Sequence, residues 1–440
     1  MLEQNVYHQA NNPQIKSKKT LAIGWIVCLL GAVFYCYEYL LRIEPSVIVP
    51  ELMRQFTATA SSLGMVIALY YYAYTPLQMI VGILLDRYGA RIILTLAVAV
   101  CAIGSFLFSN SHNLYTLGIG RFLIGFGSAF AFVGVLKLAA EWLPKHHFAL
   151  FTGFTTALGM TGAMIGTMSL TFAAHKLGWH NTLCIGTVVG IIIIPLIWLV
   201  VRDTPQWKTR QRKNTTSFRQ TFSGFWQIVK NKQMWFSGTI GCIYYLSLSV
   251  FAELWGIPFL RAVYNLAPEA AAMACSMVFA GWLIGSPLSG WLSDKTKTRK
   301  QPLIFGGFFA AAVVSIVIFK PFTLSFESLC ILLFLFGLFS STQIICFAIS
   351  RENNPTHIAA TAVGFTNLLI MLGGMIFQPL VGTILDFSWT GQMADGIRVY
   401  TATSYQHSFW ILPIFIVLGS VLTMIVRETH PHKTKQDEFE

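Results

Sequence analysis

A few ionisable residues lie inside long apolar stretches of this 440-residue chain. Glu38 and Arg42 are four residues apart, so on a helix they share one face, with the acid on the amino-terminal side that favours an ion pair. Arg121 lies in a second apolar stretch and Glu253 in a third. A charge in apolar surroundings costs several kcal/mol unless it is paired or hydrated. These residues are therefore candidates for binding an anion or carrying a proton.

The guanidinium of Arg42 offers parallel N–H groups that suit the two oxygens of a carboxylate or a phosphate. A purely structural pair with Glu38 is the alternative. Other polar side chains in the apolar stretches, each more typical of helix packing when taken alone, are Tyr35, Tyr39, Tyr70, Tyr71, Tyr74, Tyr244, Tyr245, Gln343, Asn367 and Gln378. Together with Arg42 they predict a polar site for an anion near the middle of the apolar region.

Glu253 is the first candidate for a group that gains and loses a proton, and Glu38 is the second. Burial favours the neutral form of a carboxyl and a nearby cation favours its charged form, so binding of an anion could move the proton. The alternative for Glu253 is an acid in contact with water. A Trp-Gly-x-Pro sequence follows it and predicts a bend. For Lys137, we expect a side chain that extends to the aqueous surface.

The composition identifies a membrane protein, because 55% of the residues are hydrophobic and only 11% are charged, against about 25% charged in soluble domains. Twelve helices of about 20 to 25 residues use about 240 to 300 residues, which leaves no room for a large domain outside the membrane. We predict an all-α membrane protein of twelve transmembrane helices. Their predicted ranges are 21–50, 60–85, 90–109, 114–142, 149–173, 181–201, 234–258, 270–293, 302–320, 326–350, 357–385 and 407–426.

The net charge of +12 indicates topology rather than nucleic-acid binding. Most of the 30 basic residues lie on the side of the membrane that holds both termini, which places the termini in the cytoplasm. The largest basic cluster, Lys208 to Lys213, lies in the linker between two hydrophobic halves. The predicted organisation is a tail (1–20), a six-helix bundle (21–201), a central loop (202–233), a second bundle (234–426) and a tail (427–440).

Two sequence motifs occur once in each half. GILLDRYGAR begins at Gly82 and GWLSDKTKTR begins at Gly290, 208 residues later, while GFTTALGMTGAMIG at Gly153 is followed after 211 residues by GFTNLLIMLGGMIF at Gly364. Two motifs with nearly equal offsets indicate an internal repeat of two pseudo-symmetric six-helix bundles in parallel topology.

The first repeated motif predicts a gate at a helix end. Glycine at 82 or 290 would let a neighbouring helix approach closely, and the acid four residues later lies one turn further along the same face. That acid could accept hydrogen bonds from the start of a partner helix or pair with a basic residue such as Arg87 or Arg91. The alternative is an ordinary pair of loop charges.

These motifs resemble the major facilitator superfamily of secondary transporters, whose loop between helices 2 and 3 carries G-x-L-x-D-R-x-G-x-R/K. The matching residues are Gly82, Asp86, Arg87, Gly89 and Arg91, and the second-half copy keeps Gly290, Asp294 and Arg299 but has Lys295 for the arginine. The resemblance covers about residues 20 to 427. It implies two bundles that rock about a central site, with the motif residues as gating residues.

The resemblance also gives roles to the two buried arginines. Arg42 is similar to the helix 1 arginine that binds the anionic group in the organophosphate and organic-anion branches. Arg121, in GRFLIGFGSA, is similar to the helix 4 arginine that lines the cavity or assists proton coupling. Some organic-anion members carry an acid one to two turns after that arginine, but this chain has FLIGFGSAFAFVG there. The missing acid shifts the expected proton route to Glu38 or Glu253.

The function implied by the resemblance is secondary active transport by alternating access. We expect proton-coupled uptake of a small organic anion, such as a metabolite, a sugar acid or a carboxylate siderophore, by a monomer in the inner membrane. The substrate-binding candidates are Arg42, Arg121, Tyr35, Tyr39, Tyr71, Tyr74, Gln343 and Asn367. The alternatives are an exporter of drugs or siderophores and a membrane sensor that does not transport.

No enzyme, cofactor or metal site is expected. The sequence has no G-x-x-x-x-G-K loop for a nucleotide phosphate and no histidines at metal-ligand spacing, since His146 and His147 are adjacent. The eight cysteines lie in or beside apolar runs without a CxxC pair, so we interpret them as small buried apolar residues.

Overall fold

The computed structural model describes residues 18–203, 225–320, 323–355, 358–394 and 397–429. Nearly all of the regular structure within these ranges is helical. The exception is a small hairpin of two strands, β1 (Met393–Ala394) and β2 (Ile397–Arg398). Most of the predicted tails and the basic cluster of the predicted central loop lie outside the described residues.

Twelve spans form two halves of six. The first half contains α1 (Lys18–Val47), α2 (Ala60–Leu77 and Val81–Tyr88), α3 (Ala90–Ser109), α4 (Leu114–Ser128 and Ala131–Trp142), α5 (Lys145–Leu177) and α6 (Trp179–Val200). The second half contains α7 (Lys232–Tyr264), α8 (Pro268–Thr296), α9 (Lys300–Phe319), α10 (Phe326–Glu352), α11 (Ala359–Phe387) and α12 (Ala402–Ile425). A short helix, Val49–Phe56, follows α1.

The predicted twelve-helix architecture is confirmed, with differences in individual helices. Eleven of the described helices are long and apolar enough to cross a membrane, and the bent pair that forms α2 makes the twelfth span. The prediction of one continuous helix over 60–85 was wrong, because the two segments of α2 meet at 63°. Pro76 lies just before this break and cannot donate to the carbonyl four residues earlier.

The boundaries of three other predicted helices also differ. The helix predicted over 149–173 extends over Lys145–Leu177, and the one predicted over 407–426 begins at Ala402. The helix predicted over 234–258 continues to Tyr264. Where the sequence predicted a bend, the backbone of α7 forms a π-helix over Ser247–Trp255, so the chain accommodates Pro258 without ending the span.

Glycine contacts repeat between the halves. A β-carbon on Gly125 of α4 would lie 2.1 Å from the carbonyl oxygen of Tyr70, and one on Gly337 of α10 would lie 2.1 Å from that of Val278. In both halves the fourth helix therefore contacts the backbone of the second at a position where only glycine fits.

Four cysteines, Cys28, Cys101, Cys275 and Cys346, are fully buried, and the others are partly buried.

The two sides of the membrane are distinguished here by the chain ends. We call the side that holds Lys18 and the end of α12 the terminal side, and the opposite one the distal side. The halves contact each other mainly through α2 with α11 and α5 with α8. These four helices therefore form the interface along which the halves can move against each other.

The close approach of α4 to α2 predicts an asymmetric response to two glycine substitutions. Gly125→Ala would place a methyl group 2.1 Å from the Tyr70 carbonyl and should lower the free energy of unfolding by about 1–3 kcal/mol. Gly153→Ala is the matched control, because a β-carbon there has no neighbour within 4 Å. Thermal unfolding of the purified variants in detergent measures both, and equal melting temperatures would contradict this packing.

Candidate anion-binding site

Glu38 and Arg42 form a buried ion pair on α1. The Arg42 Nε donates to Glu38 Oε1 at 2.9 Å, and its Nη2 donates to the same oxygen. Tyr70 of α2 donates to that oxygen as well. Arg42 is 2% exposed and Glu38 is fully buried. The spacing of four residues therefore forms the pair predicted from the sequence, in surroundings that exclude water.

The second half reaches the same guanidinium through α7. Arg42 Nη1 donates to the Tyr245 hydroxyl at 2.9 Å, and Glu253 Oε1 lies 3.8 Å from Nη1. Tyr71 of the first half donates to the other oxygen of Glu253. The Glu253 side chain is 1% exposed, which rules out the alternative of an acid in contact with water in this conformation. One arginine thus faces two carboxylates, one from each half.

Aromatic rings enclose the guanidinium. The Arg42 Cζ lies 4.6 Å from the ring centre of Tyr39, 5.2 Å from that of Tyr70 and 5.4 Å from that of Tyr74. Such contacts stabilise a cation by about 0.5–2 kcal/mol each. The Tyr35 ring packs edge-on against Tyr39 at 5.1 Å. Tyr35, Tyr39, Tyr71 and Tyr74 therefore lie close to Arg42, and their role in binding a substrate stays a prediction.

The π-helix in α7 determines where Glu253 lies. The Gln378 side chain of α11 donates to the Ser249 carbonyl at 2.6 Å, and the Trp255 indole donates to the Gln378 carbonyl at 3.0 Å. These bonds support a backbone in which the regular helical pattern is interrupted. Single π-helical turns occur often at functional sites because they redirect side chains.

Arg121 donates to the backbone of α1 rather than to the side chains around Arg42, and its Cζ lies 5.1 Å from the ring centre of Tyr70, so its role in substrate binding stays a prediction. Its Nη1 donates to the Leu41 carbonyl at 2.8 Å and its Nη2 donates to the Arg42 carbonyl at 3.4 Å. Pro45 cannot donate to the Leu41 carbonyl four residues earlier, so that oxygen needs another donor. Arg121 therefore supports the backbone of α1 where this helix carries Arg42.

Two further predicted residues lie outside the guanidinium's contacts. Asn367 of α11 donates to Gln78 Oε1 of α2 at 3.0 Å, so it joins the two halves on the terminal side of the site. Gln343 lies in a short 3-10 segment of α10, Ser341–Ile344. It is buried, and its amide nitrogen has no hydrogen-bond partner among the described residues.

On the terminal side of the first half, Asp86 accepts from Lys137 Nζ at 2.5 Å. Asp86 therefore pairs with a basic residue, as one of the expected arrangements had it, but the partner is Lys137 rather than Arg87 or Arg91. Arg91 instead donates from its Nε to the Trp198 carbonyl at 2.9 Å, and the Arg87 guanidinium lies 5.4 Å from the Tyr88 ring centre. The Lys137 side chain is 14% exposed, but it reaches Asp86, which is 64% exposed, so its ammonium group extends to the surface as expected and pairs with an acid there.

Gly89 is needed for the backbone turn in this motif. Its φ angle is +85°, and a β-carbon would lie 2.6 Å from the Asp203 carboxylate. Asp203 accepts from the backbone N–H of Arg91 at 2.7 Å, which places an acid at the start of α3. The aspartate after α6 is thus part of the motif's surroundings, although the motif itself does not predict it.

The second half pairs its charges differently. Arg299 donates to Asp294 at 2.6 Å and to Glu352 at 2.6 Å. The expected close helix approach at Gly82 and Gly290 is absent, because a β-carbon at either position would have no neighbour within 4 Å. The halves do not meet at these glycines in this conformation, so the positions are not contact points here.

On the distal side the halves are joined by hydrogen bonds. Asp386 at the end of α11 accepts from the backbone N–H of Ser61 at 2.9 Å, and the Tyr400 hydroxyl accepts from the N–H of Ala60 at 3.1 Å. Tyr400 also donates to Asp386 at 2.5 Å. Burial and this acid raise the pKa of the Tyr400 hydroxyl above its usual value, so the hydroxyl stays protonated. These contacts join the halves on the distal side, and we call them the distal closure.

Comparisons with known proteins agree with this fold. The sequence model of the Major Facilitator Superfamily matches residues 27–378. The hexuronate transporter of Bacillus subtilis is 23% identical, covering 88% of this chain and 94% of the relative. The membrane sensor protein UhpC of Salmonella typhimurium is 23% identical, and the match covers 82% of this chain and 85% of the relative. The solved structure of a bacterial homologue of the human lysosomal transporter Spinster superposes with a TM-score of 0.74 at 17% identity. The superposition covers 92% of this chain and 97% of that structure.

The distal contacts predict that Asp386→Ala opens this side. The loss of hydrogen bonds to a charged group, about 1.5–3 kcal/mol each, should shift the balance of open and closed forms by tenfold or more. Spin labels at the exposed positions Gln55 and Thr390, in a background without native cysteines, would report a longer distance. Glu51→Ala, at another exposed acid of the distal side, is the control. An unchanged distance distribution would show that Asp386 does not hold the halves together.

Proposed function

The chain belongs to the Major Facilitator Superfamily of membrane transporters, and from this we propose that it takes up a small organic anion together with protons. Arg42 is the binding centre, and Glu253 is the main coupling acid, with Glu38 second. The observation that carries the proposal is the buried contact of Arg42 with carboxylates from both halves.

The charges at the site account for coupling. With both acids ionised, one guanidinium faces two carboxylates, so an entering anion would add further negative charge to a buried site. Two unit charges at 4 Å repel by about 4 kcal/mol even at an effective dielectric constant of 20. A proton on one carboxyl removes this repulsion and releases a donor of Arg42 for the anion. Anion and proton therefore bind most favourably together.

Glu253 is the more readily displaced of the two acids. Glu38 binds the guanidinium through two donors and shares a helix with it, whereas Glu253 lies 3.8 Å away on the other half. The Tyr245 hydroxyl lies between Arg42 and Glu253: it accepts from Arg42 Nη1 at 2.9 Å and donates to Glu253 Oε1 at 3.5 Å. Protonation of Glu253 would leave Tyr245 free to donate to the substrate. Glu38 would meanwhile hold Arg42 in place.

A sugar acid is the substrate class that we favour. A carboxylate suits the parallel donors of Arg42, and the surrounding tyrosines offer hydroxyl groups and ring faces to a hydroxylated carbon chain. The relative named a hexuronate transporter supports this class. The relative named a membrane sensor keeps a second function open, in which the anion binds without being transported.

The proposed cycle places both termini in the cytoplasm of an inner membrane, with the protein acting as a monomer. The distal closure then faces outward, and the Asp386 contacts separate when the halves rock to admit substrate. The gating residues on the terminal side are Gly82, Asp86, Arg87, Gly89, Arg91, Gly290, Asp294 and Arg299. An exporter would use the same site but would couple the entry of protons to the exit of the substrate.

Arg42→Lys tests the anion grip. Lysine keeps the charge but loses the paired N–H groups, so affinity for the transported anion should fall by about tenfold or more, as expected for losing a charged hydrogen bond. Arg42→Ala should abolish uptake. A thermal-shift screen of hexuronates and other organic anions identifies the ligand first, because binding stabilises the folded protein. Lys176→Ala removes an exposed distal charge and is the control. Unimpaired uptake by Arg42→Ala of every anion that the wild type moves would exclude this site.

Glu253→Gln tests the coupling. In proteoliposomes, a pH gradient should drive accumulation of the anion by the wild type but not by the variant, whereas exchange of anion across the membrane should survive in part. Glu51→Gln should accumulate the anion like the wild type. Exchange by the wild type with no response to a pH gradient would exclude symport, and binding without exchange would favour the sensor.

A further inference from the structure

Glu44 is a buried acid of the first half that lies apart from the Arg42 site. It follows Arg42 by two residues on α1 and therefore points about 200° around the helix from it. Its side chain is fully buried. Neither carboxyl oxygen has a hydrogen-bond partner among the described residues. A buried polar group in this condition calls for a physical explanation.

The carboxyl of Glu44 lies among polar groups of α3 and α6. A β-carbon on Gly186 would lie 2.5 Å from Glu44 Oε1 and 3.1 Å from Ser105 Oγ. The Tyr37 hydroxyl donates to the Gly186 carbonyl at 2.8 Å, and Thr187 donates to Ser105 at 3.1 Å. The glycine thus leaves room for a carboxyl group inside the bundle, while neighbouring polar groups are already engaged with one another.

Arg121 of α4 is the cation that acts on Glu44. The two attract each other electrostatically, yet the guanidinium donates to the Leu41 and Arg42 carbonyls instead. The Arg121 Nε has no hydrogen-bond partner among the described residues. Tyr37 on α1 also interacts electrostatically with Glu44, while Tyr70, Tyr71 and Glu253 interact with Arg121. The first bundle therefore contains a carboxyl group without a hydrogen-bond partner among the described residues and a guanidinium whose Nε–H donor is unused among them.

The two protonation states of Glu44 differ in what they require of Arg121. A buried carboxylate without a partner is far less favourable than a neutral carboxyl group. In the conformation described, a proton on Glu44 removes that penalty. Without the proton, the carboxylate would be stabilised by the Arg121 guanidinium, which would then leave the Leu41 carbonyl that Pro45 cannot satisfy.

We propose that Glu44 is a proton-binding site whose ionisation draws Arg121 away from the backbone of α1. The O–H bond of the carboxyl breaks, its electron pair stays on the oxygen, and the proton passes to water that reaches the bundle. Because Arg121 supports α1 at Leu41 and Arg42, the proton on Glu44 is linked to the position of the anion-binding guanidinium. This linkage deepens the proposed function and rests on it only for the coupling to transport.

Infrared difference spectroscopy of the full chain in lipid vesicles tests the site without a ligand. A protonated buried carboxyl gives a C=O stretching band that disappears when the proton leaves. This band should titrate in the wild type, be missing in Glu44→Gln and persist, shifted, in Glu44→Asp. Glu38→Gln and Glu253→Gln identify the bands of the other two buried acids, and Glu51→Gln should match the wild type.

Hydrogen exchange at α1 tests the link to Arg121. After correction for the intrinsic pH dependence of exchange, amides near Leu41 and Arg42 should exchange faster in the wild type once the Glu44 band is lost. Glu44→Gln should show no such increase. A spectrum unchanged by Glu44→Gln, in a protein whose uptake follows the pH gradient, would overturn the Glu44 site and leave the proposed function standing. A missing band in a protein whose uptake ignores the gradient would support the site and exclude symport.

Discussion

The charge of Arg42 has to be satisfied within an apolar protein, and much of the surrounding structure serves that requirement. Glu38 supplies a carboxylate from the same helix, the Tyr70 hydroxyl shares the Nε donor with it, and the Tyr245 hydroxyl accepts from Nη1. Glu253 adds a carboxylate from the other half. A buried pair of this kind contributes little net stability, but removing one partner leaves an uncompensated charge. The site is therefore better suited to exchanging partners than to stabilising the fold, as expected for a binding centre.

The two halves repeat the same backbone framework but differ in their charge pairs. Gly125 and Gly337 let equivalent pairs of helices approach equally closely, since a β-carbon on either glycine would lie 2.1 Å from a carbonyl oxygen of the facing helix. On the terminal side, however, Asp86 pairs with Lys137 of α4, whereas Asp294 pairs with Arg299 at the start of α9. Packing contacts limit the backbone to one arrangement, while charged side chains at the membrane surface have several partners within reach. The repeat consequently preserves the architecture and leaves the gating contacts free to differ.

The sequence predicted what depends on local spacing and composition. The twelve apolar segments follow from composition and the pairing of Glu38 with Arg42 follows from helical spacing, while the internal repeat follows from the same short motifs recurring about 210 residues apart. Contacts between distant segments were not predictable in this way. Tyr245 was one of several polar candidates, and its position beside Arg42 depends on how the halves meet. The π-helix that carries Glu253 and the pair formed by Asp86 and Lys137 likewise depend on neighbours far along the chain.

The contacts at the site also limit how the halves can move. Tyr71 of the first half donates to Glu253 of the second half, and Arg42 of the first half donates to Tyr245 of the second half. Both contacts lie between the distal closure and the terminal side. While Glu253 is charged, these contacts hold the halves together at the centre. In the proposed coupling, an anion on Arg42 with a proton on Glu253 would replace one cross-half contact by another, because the substrate would bridge the same groups. A proton without the anion would weaken the Arg42 contact and supply no replacement, so under this proposal only coupled binding keeps the centre joined while the ends separate.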